Sequence, residues 1–344
     1  MSGRMDGRHL EENQKQDEEE EEKDQVMSEV HLGCPPHTSG PHISRFTIST
    51  PPEIEYSRLC YLFNDQPAGW HQKISQDEDG DLLVPRRRKR CPYSFNVTIQ
   101  HNITSSVRSV GLQVWKAALV LADFVLHKIF TSFEFDGVVS LELGAGTGLV
   151  GILLAQVAKT VFLTDHSNEI LENCARNVQL NSGVLNYRAA IHVRELDWMN
   201  SWPPTVHTGN LASKEWYSWS SSEVEEVQEA SVLVAADVIY SDDLTDAFFT
   251  ILERLMSLGQ EKVLYLAMEK RYNFSLDDLE VVANGYSRFR SYLKDDGECE
   301  GVQLGSFPFV GKCMDLALIP QYVGEYNRGN NVELWQIKYA GRKT

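Results

Sequence analysis

The sequence predicts an α/β fold in which helices cover both faces of a mostly parallel, doubly wound sheet. From residue 138 onwards, apolar strand patterns alternate with amphipathic helix patterns, an order typical of parallel sheets. The run Ser231–Ala236 is almost wholly apolar, as expected of a strand buried on both faces. The run Val139–Leu143 leads into glycines at alternate positions, a pattern typical of a strand, a tight turn and a helix N-terminus.

Length and charge limit the classes of protein to consider. The 344 residues suffice for one large domain or two small ones. Residues 1–30 hold eleven acidic and four basic residues, so we expect a disordered acidic tail there. The sequence has neither a run of membrane-spanning length nor a secretory signal, and we expect no membrane association. The net charge of −17 argues against direct nucleic-acid binding and favours a basic protein partner.

The cysteines indicate a reducing compartment and no metal centre. None of the six belongs to a C-x-x-C pair or to a zinc spacing, which predicts reduced thiols in the cytoplasm or nucleus. The sequence does not determine the oligomeric state, for which a monomer is our expectation.

Residues 31–92 are predicted to form an N-terminal extension rich in Pro, Ser and His, with one strand pattern near Arg45. The acidic run Asp77–Asp81 resembles the start of a calcium loop but has Arg88 at the twelfth position, which excludes calcium. The basic run Arg86–Arg90 has three interpretations: a nuclear import signal, a patch for nucleic acid or an acidic partner, or a solvated linker. We expect the protein in the nucleus and also in the cytoplasm.

The ordered domain is expected to span residues 93–344. Alternation predicts its first strand, and apolar residues at helical spacing predict the helix after it. Predicted strands are 93–100, 138–143, 160–164, 190–196, 231–236, 262–268, 313–319 and 332–339. Predicted helices are 110–130, 147–158, 167–181, 243–258 and 275–292. The segment 199–229, rich in Trp, Ser and acids, is expected to be an irregular insertion.

The glycine turn distinguishes between two classes of nucleoside cofactor. A dinucleotide-binding turn has the spacing G-x-G-x-x-G, whose last glycine would fall on Leu149. The pattern here is instead E-x-G-x-G-x-G, from Glu142 to Gly148. S-adenosylmethionine has no phosphate but has an ammonium group, which an acid just before the turn can bind. The spacing therefore favours S-adenosylmethionine over NAD.

Asp165 ends the next predicted strand, 19 positions after Gly146. An acid at this place can accept hydrogen bonds from both hydroxyls of a ribose. The alternative is an acid at the N-terminus of the helix that starts near Ser167.

These motifs resemble those of the seven-strand S-adenosylmethionine-dependent methyltransferases, and more narrowly the protein-lysine methyltransferase-like group. The segments that carry the resemblance are Gly111–Leu119, Leu141–Leu149, Glu195–Trp198, Ala235–Asp246, Glu269–Phe274 and Glu333–Ile337. It implies a Rossmann-like, seven-stranded sheet in the order 3-2-1-4-5-7-6 with strand 7 antiparallel. It also places the cofactor across the carboxyl ends of strands 1 to 4.

The resemblance implies a role for each residue of an S-adenosylmethionine site. The turn would contact the amino acid portion of the cofactor, one acid would hold the ribose, and two tryptophans would line or close the site. The residues in question are Trp115, Glu142, Gly144, Ala145, Gly146, Asp165, Asp197, Trp198 and Ala236. Core packing is the alternative for both tryptophans, Trp115 and Trp198.

Asp237 and Tyr240 follow the apolar strand 231–236 and are the predicted catalytic residues. Methyl transfer from a sulfonium requires a neutral nucleophile, whereas a lysine ammonium has a pKa of about 10.4. In the resembling family, Asp-x-x-Tyr lies on the substrate side, where a carboxylate and a phenol can orient the amine. We expect Asp237 mainly to position and attract the amine, whose proton is lost either to this carboxylate or to water. The alternative role of Asp237 is that of a turn acid. Glu269 could shape the substrate rim with Lys270 and Arg271, or lie in a surface turn.

The sequence therefore predicts a protein-lysine N-methyltransferase that uses S-adenosylmethionine and a protein substrate. One alternative is a methyltransferase of another acceptor, such as a small molecule or a nucleic acid. The other is a catalytically silent binding module with the same fold. An NAD oxidoreductase is disfavoured by Leu149 and by the lack of an evident His/Lys catalytic pair.

Overall fold

A computed structural model describes most of the chain from residue 94 onwards and short segments before it. The described residues are 25–27, 30, 40–50, 75–76, 82–83, 94–183, 185, 187–204, 216–271, 273–275, 280–282, 284–295, 308–324 and 326–341. The expected acidic tail lies outside these residues apart from positions 25–27 and 30. The basic run Arg86–Arg90 and the acidic run Asp77–Asp81 also lie outside them.

Helices and strands alternate along the described chain. The strands are β1 Gln25–Met27, β2 His42–Ser49, β3 Ser75–Gln76, β4 Leu82–Leu83, β5 Ser94–His101, β6 Thr104–Ser106, β7 Val139–Leu143, β8 Thr160–Asp165, β9 Ala190–Glu195, β10 Ala230–Ala236, β11 Val263–Glu269, β12 Asn273–Ser275, β13 Glu280–Val282, β14 Leu293–Asp295, β15 Phe309–Met314 and β16 Val332–Tyr339. The α-helices are α1 Lys116–Thr131, α2 Leu149–Leu154, α3 Asn168–Asn181, α4 Ser221–Gln228, α5 Asp242–Ser257 and α6 Asn284–Arg290.

The central sheet has eight strands in the order β14-β15-β16-β11-β10-β7-β8-β9. Strand β16 runs antiparallel to both of its neighbours, and every other pairing in the sheet is parallel. The predicted order and the predicted antiparallel strand are thus confirmed. The predicted number of seven strands is wrong by one, because the three-residue β14 adds an edge strand too short to show a periodic pattern.

Both faces of the sheet are covered, as its apolar strands predict. Alternate side chains of a strand point to opposite faces. On β10, Val232 and Val234 belong to the core beneath α1, α2 and α3. Leu233 and Ala235 belong to a second core beneath α5 and α6. The loops at the carboxyl ends of the parallel strands therefore share one edge, where α/β proteins bind ligands.

Strand β2 extends the ordered domain beyond its predicted start at residue 93. It pairs antiparallel with β5 over its full length. The side chains of Phe46 and Ile48 are fully buried in the core that contains α1. On the other side of β2, Ser49 donates its N–H to the carbonyl of Tyr322 at 2.9 Å. Residues 42–49 thus belong to the same folded unit. Within the expected tail, β1 pairs with β6.

A ladder of asparagines fixes β5 to helix α3. Asn173, Asn177 and Asn181 recur every four residues on one buried face of the helix. The Oδ1 of Asn181 accepts the N–H of Thr98 at 2.9 Å, and its Nδ2 donates to the carbonyl of Thr98 at 2.7 Å. Asn177 forms the same pair with Gln100, at 2.7 and 3.0 Å. The ladder thus satisfies the backbone edge of β5 as a neighbouring strand would.

Three predicted segments differ from the structure. The helix predicted at 110–130 starts at Lys116, because the extended backbone of Gln113 and Trp115 separates it from the 3-10 turn that holds Gly111. The helix predicted at 275–292 is replaced by β12, β13 and the short α6, since the β-branched pair Val281-Val282 favours extended backbone. Part of the predicted irregular insertion is α4, which starts with a capping box between Ser220 and Glu223.

No helix in the described part of the chain is long and apolar enough to cross a membrane. Within the same ranges, no group of three His, Cys, Asp or Glu side chains lies close enough together to hold a metal ion.

Candidate active site

The turn between β7 and α2 forms the floor of the candidate site. Gly144, Gly146 and Gly148 have φ angles of +67°, +52° and +78°, which L side chains rarely adopt. A Cβ on Gly146 would lie 2.9 Å from the carbonyl oxygen of Gly111. On Gly144 it would lie 2.8 Å from Cγ1 of Val238. The glycines therefore keep the turn free of side chains, so that a ligand can approach its backbone.

Asp165 binds this turn from the end of β8. Its Oδ2 accepts the N–H of Gly146 at 2.8 Å, and its Oδ1 accepts the N–H of His166 at 2.8 Å. Burial raises the pKa of Asp165, and the two N–H donors oppose that rise. The structure thus holds the predicted ribose-binding carboxylate directly against the glycine turn.

Glu142 is buried beneath the turn and binds the start of α2. Its Oε2 accepts the N–H of Gly151 at 2.8 Å. Burial raises the pKa of Glu142 to about 8, the Gly151 N–H opposes that rise, and the nearby Asp165 adds to it. This carboxyl therefore holds its proton more tightly than an exposed glutamate does. The sequence predicted that Glu142 lies near the ammonium of the cofactor, and the structure adds its hydrogen bond to the start of α2.

Two predicted tryptophans, Trp198 and Trp115, have different packing partners. Trp198 packs edge-to-face on Phe248 with ring centroids 5.2 Å apart, and its six-membered ring borders Gly144. Its buried indole N–H has no hydrogen-bond partner among the described residues. Trp115 precedes α1, and its indole N–H donates to the carbonyl of Val110 at 3.0 Å. Asp197 accepts the N–H of Met199 at 2.9 Å, which shapes the loop after β9.

Asp237 occupies a strained backbone position at the end of β10. Its φ of +58° is the single positive value of a non-glycine residue in the described chain. Its N–H donates to the carbonyl of Ala267 at 2.8 Å, which anchors this backbone to β11. Its side chain is 1% exposed and pairs with Arg271 at 2.5 Å between Oδ2 and Nη2. Burial raises the pKa of Asp237, and the Arg271 guanidinium opposes that rise.

One cavity of about 820 Å³ joins all of these groups. Every predicted site residue lines it: Trp115, Glu142, Gly144, Ala145, Gly146, Asp165, Asp197, Trp198, Ala236, Asp237 and Tyr240. The sequence predicted that these eleven positions, from five segments of the chain, would lie together, and their individual roles stay predictions. Tyr240 is 44% exposed at this cavity, so its ring is open to an incoming partner.

Sequence reasoning missed part of the cavity wall. The 3-10 turn before α1 contributes Val107 to Gly111, and α3 contributes Ile170. The glycine at position 111 was a signal, because a glycine within a predicted helix often marks a close approach of two backbones. Arg271 was assigned only to the substrate rim, whereas its guanidinium binds Asp237.

Comparison with known proteins gives consistent matches. A sequence model of the family described as lysine methyltransferase matches residues 96–282. Methyltransferase-like protein 22 of Mus musculus is 37% identical over 272 residues, which are 78% of this chain and 65% of that protein. The Homo sapiens protein of the same name is 35% identical over 311 residues, 87% of this chain and 72% of that protein.

A third relative carries a more specific name. Protein-lysine N-methyltransferase EFM3 of Saccharomyces cerevisiae is 26% identical over 237 residues, which are 64% of this chain and 62% of that protein. This chain thus spans roughly two thirds of the length of these relatives, from 62% to 72%. The matches confirm the family resemblance that the motifs predicted.

Proposed function

The chain belongs to the lysine methyltransferase family, and from this premise we propose that it transfers a methyl group from S-adenosylmethionine to a lysine of a protein substrate. The observation that carries the proposal is the single cavity that joins the glycine turn to Asp237 and Tyr240. A methyl donor and an acceptor amine have to meet in one such space, because the transfer is direct.

The residues present fit this methyl donor. The three glycines leave a cradle that a Cβ would fill, and Asp165 lies beside it as an acceptor for ribose hydroxyls. The buried N–H of Trp198 lies in the wall where the adenine is expected. When bound, S-adenosylmethionine supplies a methyl group activated by a positively charged sulfur.

The acceptor end of the cavity suits a lysine. A carboxylate attracts the ammonium group of a lysine. The exposed ring of Tyr240 offers a face along which the aliphatic part of the lysine side chain can lie. We assign to Asp237 the positioning of the amine, and leave proton loss to water, because a buried carboxyl beside a guanidinium is a weak base for an ammonium.

The net charge of −17 supports a basic substrate protein, drawn to the enzyme by its overall field. We further propose that the enzyme acts as a monomer, without binding nucleic acid or membrane. The run Arg86–Arg90 supports a location in the nucleus as well as the cytoplasm. Replacement of these five residues by alanine should then lower nuclear accumulation of a fluorescent fusion, while a fusion that stays nuclear would contradict this location signal.

Calorimetric titration with S-adenosylhomocysteine tests the cofactor site. We expect binding in the micromolar range, weakened at least tenfold by Asp165→Ala, and no binding of NAD. A well-folded protein that binds NAD but not S-adenosylhomocysteine would overturn the proposal.

A second assay tests the acceptor. Cell extract is incubated with methyl-labelled S-adenosylmethionine and either the wild type or Asp237→Ala. Label on protein lysines that is lost with the variant and survives nuclease treatment is the expected result. Label in RNA or in small molecules would instead support the alternative acceptors, and a protein that binds the cofactor without transferring label would be a silent binding module.

A further inference from the structure

Arg271 lies against Asp237, which is expected to position the acceptor amine, and against Trp115, which is expected to close over the cofactor. Its Nη2 is 2.5 Å from Oδ2 of Asp237. Its Cζ lies 5.2 Å from the ring centroid of Trp115. Asp237 and Trp115 both line the candidate cavity. One guanidinium therefore bridges the acceptor carboxylate and the aromatic ring beside it.

A lysine ammonium would use the same two kinds of contact. Carboxylates and aromatic faces are the protein groups that bind such cations best. The side chain of Asp237 is 1% exposed with Arg271 in place. A second cation therefore reaches its Oδ2 only if the guanidinium of Arg271 moves.

Neighbouring charges single out Arg271 for this role. Glu269, the nearest other acid at the end of β11, pairs with Lys116 at 2.6 Å. Lys270 pairs with Glu333 at 2.7 Å, and its Nζ lies 5.1 Å from the ring centroid of Tyr286. The side chains of Glu269 and Lys270 thus form ion pairs with residues other than Asp237 and Arg271.

Asp237 and Arg271 differ in how freely their side chains can move. Asp237 is buried, and its backbone is anchored to Ala267. The side chain of Arg271 is 38% exposed and lies two residues past the end of β11. A swing of the guanidinium into solvent needs only side-chain rotations, which are fast at exposed positions. An arriving ammonium would then replace the lost partner, so the buried carboxylate is never left unpaired.

We propose that Arg271 is an internal cation that occupies the acceptor site of the free enzyme and competes with the substrate amine for Asp237. The inference rests on the proposed function and extends it to substrate selection. Cationic amines can displace the guanidinium, whereas neutral acceptors such as hydroxyls cannot replace its charge. Arg271 thereby acts as a specificity residue that closes the site to acceptors without a positive charge.

Two nucleosides test the competition without a known substrate protein. Sinefungin carries an amino group at the position of the transferable methyl of S-adenosylmethionine, so its ammonium points to the acceptor end. S-adenosylhomocysteine has no group there. The ratio of their dissociation constants, measured by calorimetry on the full chain, therefore reports how freely a cation enters the acceptor site.

Arg271→Gln should raise the affinity for sinefungin relative to S-adenosylhomocysteine by roughly tenfold, the scale of one charge-assisted contact. The ratio corrects for any change in the nucleoside site itself, and far-ultraviolet circular dichroism shows that the variant is folded. Arg271→Lys, which keeps the charge, should stay near the wild-type ratio.

Two further variants provide controls. Lys270→Gln removes one charge at the adjacent position, whose ammonium binds Glu333, and should leave the ratio unchanged. Asp237→Asn combined with Arg271→Gln should abolish the gain, because the carboxylate for which the cations compete is gone.

Three results would overturn the inference. An unchanged ratio in Arg271→Gln would show that its guanidinium does not compete with the probe. An equal gain in Lys270→Gln would show a general effect of charge. Both refute the inference and leave the proposed function standing, whereas a folded wild type that binds neither nucleoside refutes the two together.

Discussion

The side-chain Nδ2 of Asn177 donates a hydrogen bond to the carbonyl of Thr147, 3.0 Å away in the glycine turn. The same nitrogen donates to the carbonyl of Gln100 at 3.0 Å. One fully buried amide on α3 therefore joins β5 to the turn that forms the floor of the candidate site. The position of the turn depends on the β2–β5 pair through this amide.

Asn177→Ala should weaken the binding of S-adenosylhomocysteine even where the variant is fully folded, so that its loss of stability does not account for the weaker binding. The substitution leaves the N–H of Gln100 and the carbonyl of Thr147 without their Asn177 partner, at about 1–3 kcal/mol for each unsatisfied group, whereas the carbonyl of Gln100 keeps Asn173. Asn181→Ala is the matched control, because Asn181 makes the same contacts to Thr98 but none to the turn. Denaturant unfolding and calorimetry measure the two effects, and equal losses of affinity in the two variants would show a purely structural role for Asn177.

Gly146→Ala should abolish cofactor binding while the sheet still folds. The new Cβ would lie 2.9 Å from the carbonyl oxygen of Gly111 and would require φ of +52° in an L residue. That strain costs of order 1–3 kcal/mol and falls on the turn itself. Gly183→Ala, where a Cβ meets nothing within 4 Å, is the control and should bind like the wild type. Unchanged affinity in Gly146→Ala would contradict the predicted role of the turn.

Glu142→Gln should become more stable relative to the wild type as the pH rises. Burial raises the folded-state pKa of Glu142 to about 8 from an ordinary value of 4.5, so between these values the folded state binds the extra proton. Its contribution is complete below pH 4.5 and is lost as the pH rises through about 8. Glutamine cannot ionise and avoids this loss.

Thermal unfolding between pH 6 and pH 9 measures this difference. The melting temperature of the wild type should fall relative to Glu142→Gln by several degrees over that range. Exposed Glu172→Gln is the control and should follow the wild type. Parallel curves for wild type and Glu142→Gln would refute the raised pKa.

Phe46→Ala should destabilise the whole domain, since Phe46 is fully buried in the core shared with α1. Loss of a buried phenylalanine costs about 3–5 kcal/mol. Ile43→Ala on the same strand is the control, because Ile43 is 53% exposed, and should cost less than about 1 kcal/mol. Equal unfolding free energies of the two variants would restore the boundary predicted at residue 93.

Much of the fold was predictable because its signals are local. Apolar runs such as 231–236 identify buried strands from adjacent residues alone, and the strand order followed from the family resemblance. The elements that the sequence did not predict lack such a signal. Strand β14 and helix α6 are three and seven residues long, too short for a period to appear.

The candidate site was predictable to the same degree and for the same reason. Asp165 ends a strand, the glycines and Asp237 directly follow strands, and the carboxyl ends of parallel strands meet at one edge of a sheet. The family resemblance alone places Trp115, which precedes α1, while that rule brings the other ten predicted residues to one edge. The rule says nothing about how their side chains are paired.

The sequence by itself determined the alternation of the main strands and helices, the class of cofactor turn and the positions of the acids around it. Tertiary structure alone decided that Glu142 caps α2, that Asn177 ties β5 to the turn, and that Arg271 closes on Asp237. These contacts join residues 9, 30 and 34 positions apart. A periodic pattern records which face a residue occupies, whereas hydrogen bonds and charge pairing depend on side chains that only the folded chain brings within about 3 Å.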